Sequence, residues 1–355
     1  MRIVVNDIAA SVGGALSILK DFYNNIKEND KENEWIFLLS SRHIEETENI
    51  KVVTLPEIKA SWIKRLYFDL VSGKSFISLL SADMVFSLQN IITFGLKIPQ
   101  AVYIHQSIPF QKTKKFSFLK SDERKLAIIQ RLIGRIIRYS ALKADIIIVQ
   151  TKWMRDSIIE LLKIDDTRIF DILPNTENFT PYRKTSIFNE KSFFYPTSEE
   201  VYKNCDCIYK ACRLLNEAMI DEFEVKITLQ HSDKQRNIKF IGKISREQVF
   251  DEYNTSTLLF PSYIETIGLP LMEARKMGTV VLASDCAFSR EVLEGYDNAY
   301  FFNPFSPEEL AGLMKKVING QIVRKNIASE NIIHRNSWSD VREVIVELAK
   351  ARVSH

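Results

Sequence analysis

The sequence predicts an α/β protein made of two domains, each a doubly wound parallel sheet with helices on both faces. Three observations carry this. Short apolar runs alternate with helical patterns almost from end to end, as parallel sheets with crossover helices require. A polar stretch without periodicity, Thr176–Lys191, interrupts the alternation, which then restarts. The chain has 355 residues, enough for two cores at roughly 100–200 residues per domain.

In the first half, Arg2–Val5 reads as a buried strand. Gly13–Ile26 follows as a helix with Leu16, Leu19, Phe22, Tyr23 and Ile26 on one face. Strands are expected at Trp35–Leu39, Lys51–Leu55, Met84–Ser87, Ala101–Ile104, Asp145–Gln150 and Ile169–Leu173, the last running into Pro174-Asn175. Helices are expected at Trp62–Leu80, at Asp122–Leu142 with Ser121 as N-cap, and at Lys152–Leu162. In the second half the strands are Phe193–Tyr195, Glu224–Leu229, Ile238–Phe240, Thr257–Phe260 and Val280–Ala283. The helices are Asn204–Ala218, Arg246–Asn254, Gly268–Met277 and Pro307–Ile318, and a last helix runs from Trp338 to about Arg352.

Composition narrows the class further. Apolar residues make up 46% and charged residues 26%, ordinary for a folded globular chain. No apolar run is long enough to span a membrane, and the N-terminus lacks a signal-peptide pattern. Four cysteines in so long a chain do not make a disulfide framework, so a reduced, cytoplasmic protein is expected. Cys205 and Cys212 share a helix face, but no histidine nearby completes a zinc site, so no metal is expected. The net charge is +3, unevenly spread: Lys59–Asp145 holds 15 Lys/Arg against 5 Asp/Glu. Within it, Trp62-Ile-Lys64-Arg65-Leu-Tyr-Phe and Lys112-Thr-Lys-Lys115-Phe-Ser-Phe-Leu-Lys120 interleave cations with aromatics, and Arg131, Arg135 and Arg138 fall on one helix face. These segments suit an anionic membrane surface or a solvated basic face. No nucleic-acid motif is present, so nucleic acid is not the expected partner.

In open α/β sheets, ligands bind outside the carboxyl ends of the strands, and the candidate residues are sought there. The strongest segment follows the strand Thr257–Phe260: Pro261-Ser-Tyr-Ile-Glu265-Thr-Ile-Gly268-Leu-Pro-Leu-Met-Glu273. Thr266, Ile267, Gly268 and Leu269 are expected to open a helix whose free N–H groups and dipole suit a phosphate. Gly268 would let backbone approach a ligand closely. Glu265 could accept bonds from sugar hydroxyls and Glu273 from a ribose diol. Taken alone, the two carboxylates also fit a capped surface helix.

Extended to Asp285, the segment reads PSYIETIGLPLMEARKMGTVVLASD. It resembles glycosyltransferase family 4, retaining enzymes of the GT-B fold, whose hallmark is two glutamates with seven residues between them in a Pro-Ser-x-x-Glu-x-x-Gly-Leu-Pro-x-x-Glu-Ala context. The resemblance spans about 25 residues without a gap, with weaker echoes elsewhere. It implies two Rossmann-like domains facing across a cleft: residues 1–178 for the acceptor, 192–336 for the nucleotide-sugar donor, and a C-terminal helix, 337–355, returning to the first domain. It implies that Gly13 and Gly14, in Val12-Gly13-Gly14-Ala15, lie near the donor diphosphate, where the pair alone reads as a turn. His105, in Tyr103-Ile-His105, would contact the transferred sugar, where a lone histidine reads as structural. Lys203 would bind the diphosphate, where alone it reads equally as a solvated surface lysine. The implied catalytic set is therefore His105, Lys203 and Glu265.

The family's arginine about five residues before Lys203 is absent, since that stretch reads Pro196-Thr-Ser198. Either Lys243 takes its place or the leaving group is stabilised less. The resemblance implies transfer from a nucleotide-sugar to a glycan or lipid-linked acceptor of a bacterial surface polysaccharide, with no cofactor. Alternatives are a nucleotide-sugar epimerase, a membrane-associated binding subunit with a decayed site, and a structural adaptor.

Overall fold

Seven parallel strands form the first sheet: β1 (Arg2–Asp7), β2 (Glu34–Leu39), β3 (Ile50–Thr54), β4 (Met84–Ser87), β5 (Gln100–Ile104), β6 (Ile146–Val149) and β7 (Ile169–Asp171), in the order β3-β2-β1-β4-β5-β6-β7. Six more form the second: β8 (Ser192–Tyr195), β9 (Glu224–Ile227), β10 (Ile238–Phe240), β11 (Thr257–Phe260), β12 (Val281–Ser284) and β13 (Ala299–Phe302), in the order β10-β9-β8-β11-β12-β13. The computed structural model describes residues 1–11, 13–173, 187–230, 235–326 and 337–353. Val12 and the segment 174–186, which holds most of the expected linker with Pro174, Asn175 and Pro181, lie outside the described residues, as do the expected domain ends 178 and 336.

The chain divides into two compact units, Met1–Glu177 with His334–His355, and Asn178–Ile333. The α/β class read from the alternation is the observed one. In each sheet the order reverses beside the first strand, between β1 and β4 and between β8 and β11. At such a switch point the crossovers leave on opposite sides, and a crevice opens at the strands' carboxyl ends.

The inner strands β1, β2, β4, β5, β6, β8, β11 and β12 are buried because both faces are covered. In the first unit, β1, β2, β4 and β5 pack against the helix Gly13–Asn29 through Leu19, Phe22, Tyr23 and Ile26. The last helix, Trp338–Val353, joins this core through Trp338, Val341, Ile345 and Ala349. The Trp338 ring lies 5.4 Å from Phe22 and 5.6 Å from Tyr103. Asn25 donates to Ser339 at 3.0 Å and Arg342 to the Asn29 carbonyl at 2.8 Å. The second core is built on Phe193, Phe194, Leu258, Leu259, Val281 and Leu282, all fully buried.

Several elements differ from expectation. Ser121 does not cap a helix. The helix begins at Arg124, and the preceding Glu123 instead accepts from the Ser117 N–H at 2.9 Å and pairs with Lys114 at 2.9 Å. Helix Ala287–Val292 and strand β13 were not anticipated; the strand reads Ala-Tyr-Phe-Phe, too short to show a period. Two long helical runs each contain a π turn, Phe68–Ser72 and Ile129–Ile133, followed by a glycine, Gly73 and Gly134. A Cβ on Gly73 would sit 2.6 Å from the Phe68 carbonyl oxygen and 2.9 Å from Thr93 Cγ2. On Gly134 it would sit 3.0 Å from the Ile129 oxygen and 3.1 Å from Pro109 Cβ.

Gly73→Ala is expected to lower unfolding free energy by about 1–3 kcal/mol, the range for overpacking a close contact. Nothing lies within 4 Å of a Cβ on Gly14. Gly14→Ala should therefore be neutral or stabilising by up to about 1 kcal/mol, as for Gly→Ala in a helix. Urea denaturation of both variants checks the contrast, and equal destabilisation would refute it.

Candidate functional site

The switch point of the second sheet gathers the best-defined cluster. Beyond β8 the chain makes a short 3-10 turn, Val201–Lys203, and Asn204 reverses it with φ +60° before the helix Cys205–Glu217. Tyr195, at the end of β8, donates its hydroxyl to the Lys203 carbonyl at 2.7 Å. Asn204 donates to the carbonyls of Pro261 and Pro304 at 3.1 and 2.7 Å. These bonds tie the turn after β8 to the loop after β11. They bring together two sequence-predicted residues 62 positions apart: Lys203 Nζ lies 2.6 Å from Glu265 Oε1, with side chains 20% and 15% exposed.

Ser262 donates to the same Glu265 oxygen at 2.8 Å and is fully buried. Ser284, at the end of β12, donates to the Ser262 carbonyl. The carboxylate is thus fixed from the backbone outward. A cation and a carboxylate held side by side can meet a ligand that carries both phosphate and hydroxyl groups.

The segment after Glu265 is built differently from expectation. Thr266 and Ile267 precede the helix and do not form its first turn. The helix spans Leu269–Met277, and Gly268 is its N-cap with φ +80°. That left-handed backbone is what the glycine supplies, while a Cβ there would touch Leu271 and Phe288. Glu273, on the fifth residue of the helix, is apart from the Lys203–Glu265 pair in its bonding. Its Oε1 lies 2.8 Å from Arg246 and its Oε2 accepts from the Tyr253 hydroxyl at 3.0 Å. Burial raises its carboxyl above the usual range against the pull of Arg246. Sequence reasoning missed Ser262, Tyr253 and Arg246 as partners. Only Ser262, inside the motif, carried a signal. Lys243, the alternative cation, is exposed beyond β10.

In the first unit, Gly13 and Gly14 begin the helix Gly13–Asn29, and His105 directly follows β5. The Asn90 carboxamide oxygen accepts from the N–H groups of His105 and Gln106 at 2.8 and 2.9 Å. That orientation turns Asn90 Nδ2 toward His105 Nε2 at 3.2 Å, so Nε2 accepts and Nδ1 carries the hydrogen. Burial pushes the imidazole down to about 4, so it is neutral at pH 7.

Two carboxyls that sequence reasoning did not single out also belong to this edge. Asp69, inside the π turn, accepts from Asn6 at 3.1 Å and from Gln89 at 3.0 and 2.9 Å. Its partners are amides, burial prevails, and the carboxyl is pushed up to about 8. Burial pushes Asp7, the last residue of β1, up to about 7.

With this geometry in view, the chain can be set beside known proteins. Residues 183–333 match the sequence profile of the family described as glycosyl transferases group 1. The matched span takes in nearly all of the second unit, including Lys203, Glu265 and Glu273. A stretch of 111 residues is 26% identical to the serotype-specific mannosyltransferase WbdA of Escherichia coli; it covers 30% of this chain and 13% of that protein. Over almost the whole chain the fold is that of solved glycosyltransferases. The apo lipopolysaccharide outer core galactosyltransferase WaaB superposes with a TM-score of 0.65 at 16% identity, over 98% of this chain and 99% of that one. Anabaena HepE in complex with UDP-glucose gives 0.61 at 14% identity over the full length of both chains. The two-domain α/β fold is thus of the GT-B type.

Among the described residues, no helix is long and apolar enough to cross a membrane, and no group of three or more His, Cys, Asp or Glu side chains could hold a metal ion. Burial pushes the thiols of Cys205, Cys207 and Cys212 up to about 11, 12 and 12. In the basic segments Trp62, Ile63, Tyr67, Phe118 and Leu119 are exposed.

The two raised carboxyls make stability depend on pH. Between the unfolded value near 4 and the folded values of about 7 and 8, the folded chain keeps two protons that the unfolded chain has lost. Unfolding free energy should therefore fall as pH rises from about 5 to 8, by up to about 1.4 kcal/mol per unit for each group. The Asp7→Asn, Asp69→Asn double variant should flatten the profile, and denaturant titrations across that range test it. An unchanged slope would refute the assignment.

Proposed function

We propose that this chain is a retaining glycosyltransferase of family 4 type, moving a sugar from a nucleotide-sugar to a glycan or lipid-linked acceptor of a bacterial surface polysaccharide. The observation that carries the reading is the Lys203–Glu265 pair at the switch point of a unit that matches the glycosyl transferases group 1 profile. Likeness to WaaB and WbdA supports the polysaccharide setting. In this reading the enzyme acts in the cytoplasm or on the inner face of the membrane.

Lys203 and the N–H groups around Thr266–Leu269 meet the donor diphosphate, and no metal cofactor is needed to offset its charge. Glu265 accepts from hydroxyls of the transferred sugar, and Glu273 from the nucleotide ribose. Neutral His105, with Gly13 and Gly14, serves sugar and phosphate contacts in the first unit. The bond from the anomeric carbon to the phosphate oxygen breaks, and its electron pair leaves with the diphosphate. The acceptor oxygen bonds to the same face of that carbon, and its proton passes to the departing phosphate oxygen. Lys203 stabilises the charge as it builds there.

Thermal unfolding with UDP, GDP, ADP, dTDP and their sugar conjugates tests the reading. One nucleotide family should raise Tm, in line with a gain of about 2.7 kcal/mol at a hundredfold over Kd. With that donor, Lys203→Ala should slow transfer by roughly a hundredfold or more, as when a group stabilising transition-state charge is removed. Glu273→Ala should weaken nucleotide binding. No shift with any nucleotide, or wild-type rates in both variants, would overturn the proposal. Conversion of the donor without acceptor would point to an epimerase.

A further inference from the structure

A second concentration of charge lies in the first unit, on residues that the proposed transfer does not use. A cavity of about 360 Å³ is lined by six cations, Lys112, Lys114, Lys115, Arg131, Arg135 and Arg138, and by no carboxylate. Two of the six are compensated from outside it: Lys112 lies 2.5 Å from Glu160 and Lys114 2.9 Å from Glu123. Lys115, Arg131, Arg135 and Arg138 form no ion pair among the described residues.

Charges of one sign on a free surface splay apart into water. Here the scaffold holds two of them, Arg131 and Arg138, in place. Arg138 donates to the Pro109 carbonyl at 3.1 Å and Arg131 to the Phe116 carbonyl at 3.2 Å. The Arg131 guanidinium also lies over the Phe118 ring at 5.1 Å. Gln130 accepts from the Phe116 N–H at 2.9 Å and donates to the Lys114 carbonyl at 2.8 Å, pinning the loop to the helix. Gly134 lets that helix close on Pro109. Burial, with Arg135 beside it, holds the Arg138 guanidinium below its usual range. Four uncompensated positive charges around a concavity call for a compact ligand with two or more negative charges. Guanidinium forks match phosphate oxygens in pairs.

We propose that this cavity binds a phosphate monoester or diphosphate group through Lys115, Arg131, Arg135 and Arg138. If the chain is the transferase proposed above, the group belongs to the acceptor; that clause alone rests on the earlier reading.

Calorimetric titration with inorganic pyrophosphate tests the site. Three proteins are compared: wild type, Lys203→Ala, and the Lys115→Gln, Arg135→Gln double variant, whose substituted side chains are exposed and whose Tm should stay unchanged. The double variant should lose affinity by roughly tenfold or more, given two charge-assisted contacts removed, and Lys203→Ala should keep this binding. Equal affinity in the wild type and the double variant would overturn the proposal, as would loss of all binding in Lys203→Ala. If nucleotides fail to bind while this pattern holds, the transferase reading falls and the cavity stands. Flotation with phosphatidylcholine vesicles, with and without phosphatidic acid, separates the sources. Flotation that needs phosphatidic acid and is lost in the double variant assigns a lipid headgroup. Saturation by glycerol 3-phosphate in solution without flotation assigns a soluble phosphate ester.

Discussion

The constraint on which the rest depends is that every strand pairing in both sheets is parallel. A parallel sheet needs a crossover after each strand, so all the carboxyl ends of a sheet gather on one edge. The strands are only three to six residues long, and the inner ones lie between covering layers, so polar side chains have little room along those. They collect where the strands stop. Asn6 and Asp7 end β1, His105 follows β5, and Lys203 and Glu265 lie in the turns after β8 and β11. The reversal of strand order then selects which turns face one another within each unit.

Four acidic groups at these edges show how environment divides one chemistry into several. Glu265 meets an ammonium and a buried serine hydroxyl. Glu273 meets a guanidinium and a phenol, yet burial still raises its carboxyl. Asp69 meets amides, and burial outweighs them, so it holds its proton at neutral pH. Asp7 lies between these cases, with Lys59 the nearby charge. A neutral, hydrogen-bonded carboxyl beside the end of β1 costs less to bury than a lone carboxylate and still orders Asn6 and Gln89.

The alternation of apolar runs with helical faces made the α/β class legible, and most strands lie within two residues of where it put them. The motif around Glu265 made one half of the candidate site legible and the lysine after β8 the other. Their pairing was not, because it depends on Asn204 reversing the chain and on carbonyls of Pro261 and Pro304. The π turns were also hidden. Their helices keep an apolar face on either side of the insertion, and only the glycine after each, at Gly73 and Gly134, marks it. Ser121 misled because Glu123, two residues on, was drawn off by Lys114. Tyr253 gave no sign of serving Glu273, since nothing local distinguishes it from a core aromatic.

The last helix belongs to the first unit, while the second unit is continuous in sequence. In chain order the second unit is therefore an insertion, and the first is closed by residues that follow it. During synthesis the parts of Phe22 and Tyr103 that Trp338 covers stay open until that residue emerges. The second unit has all its strands by then. A chain cut short just before Trp338 would keep every strand of both sheets and yet leave the first core open.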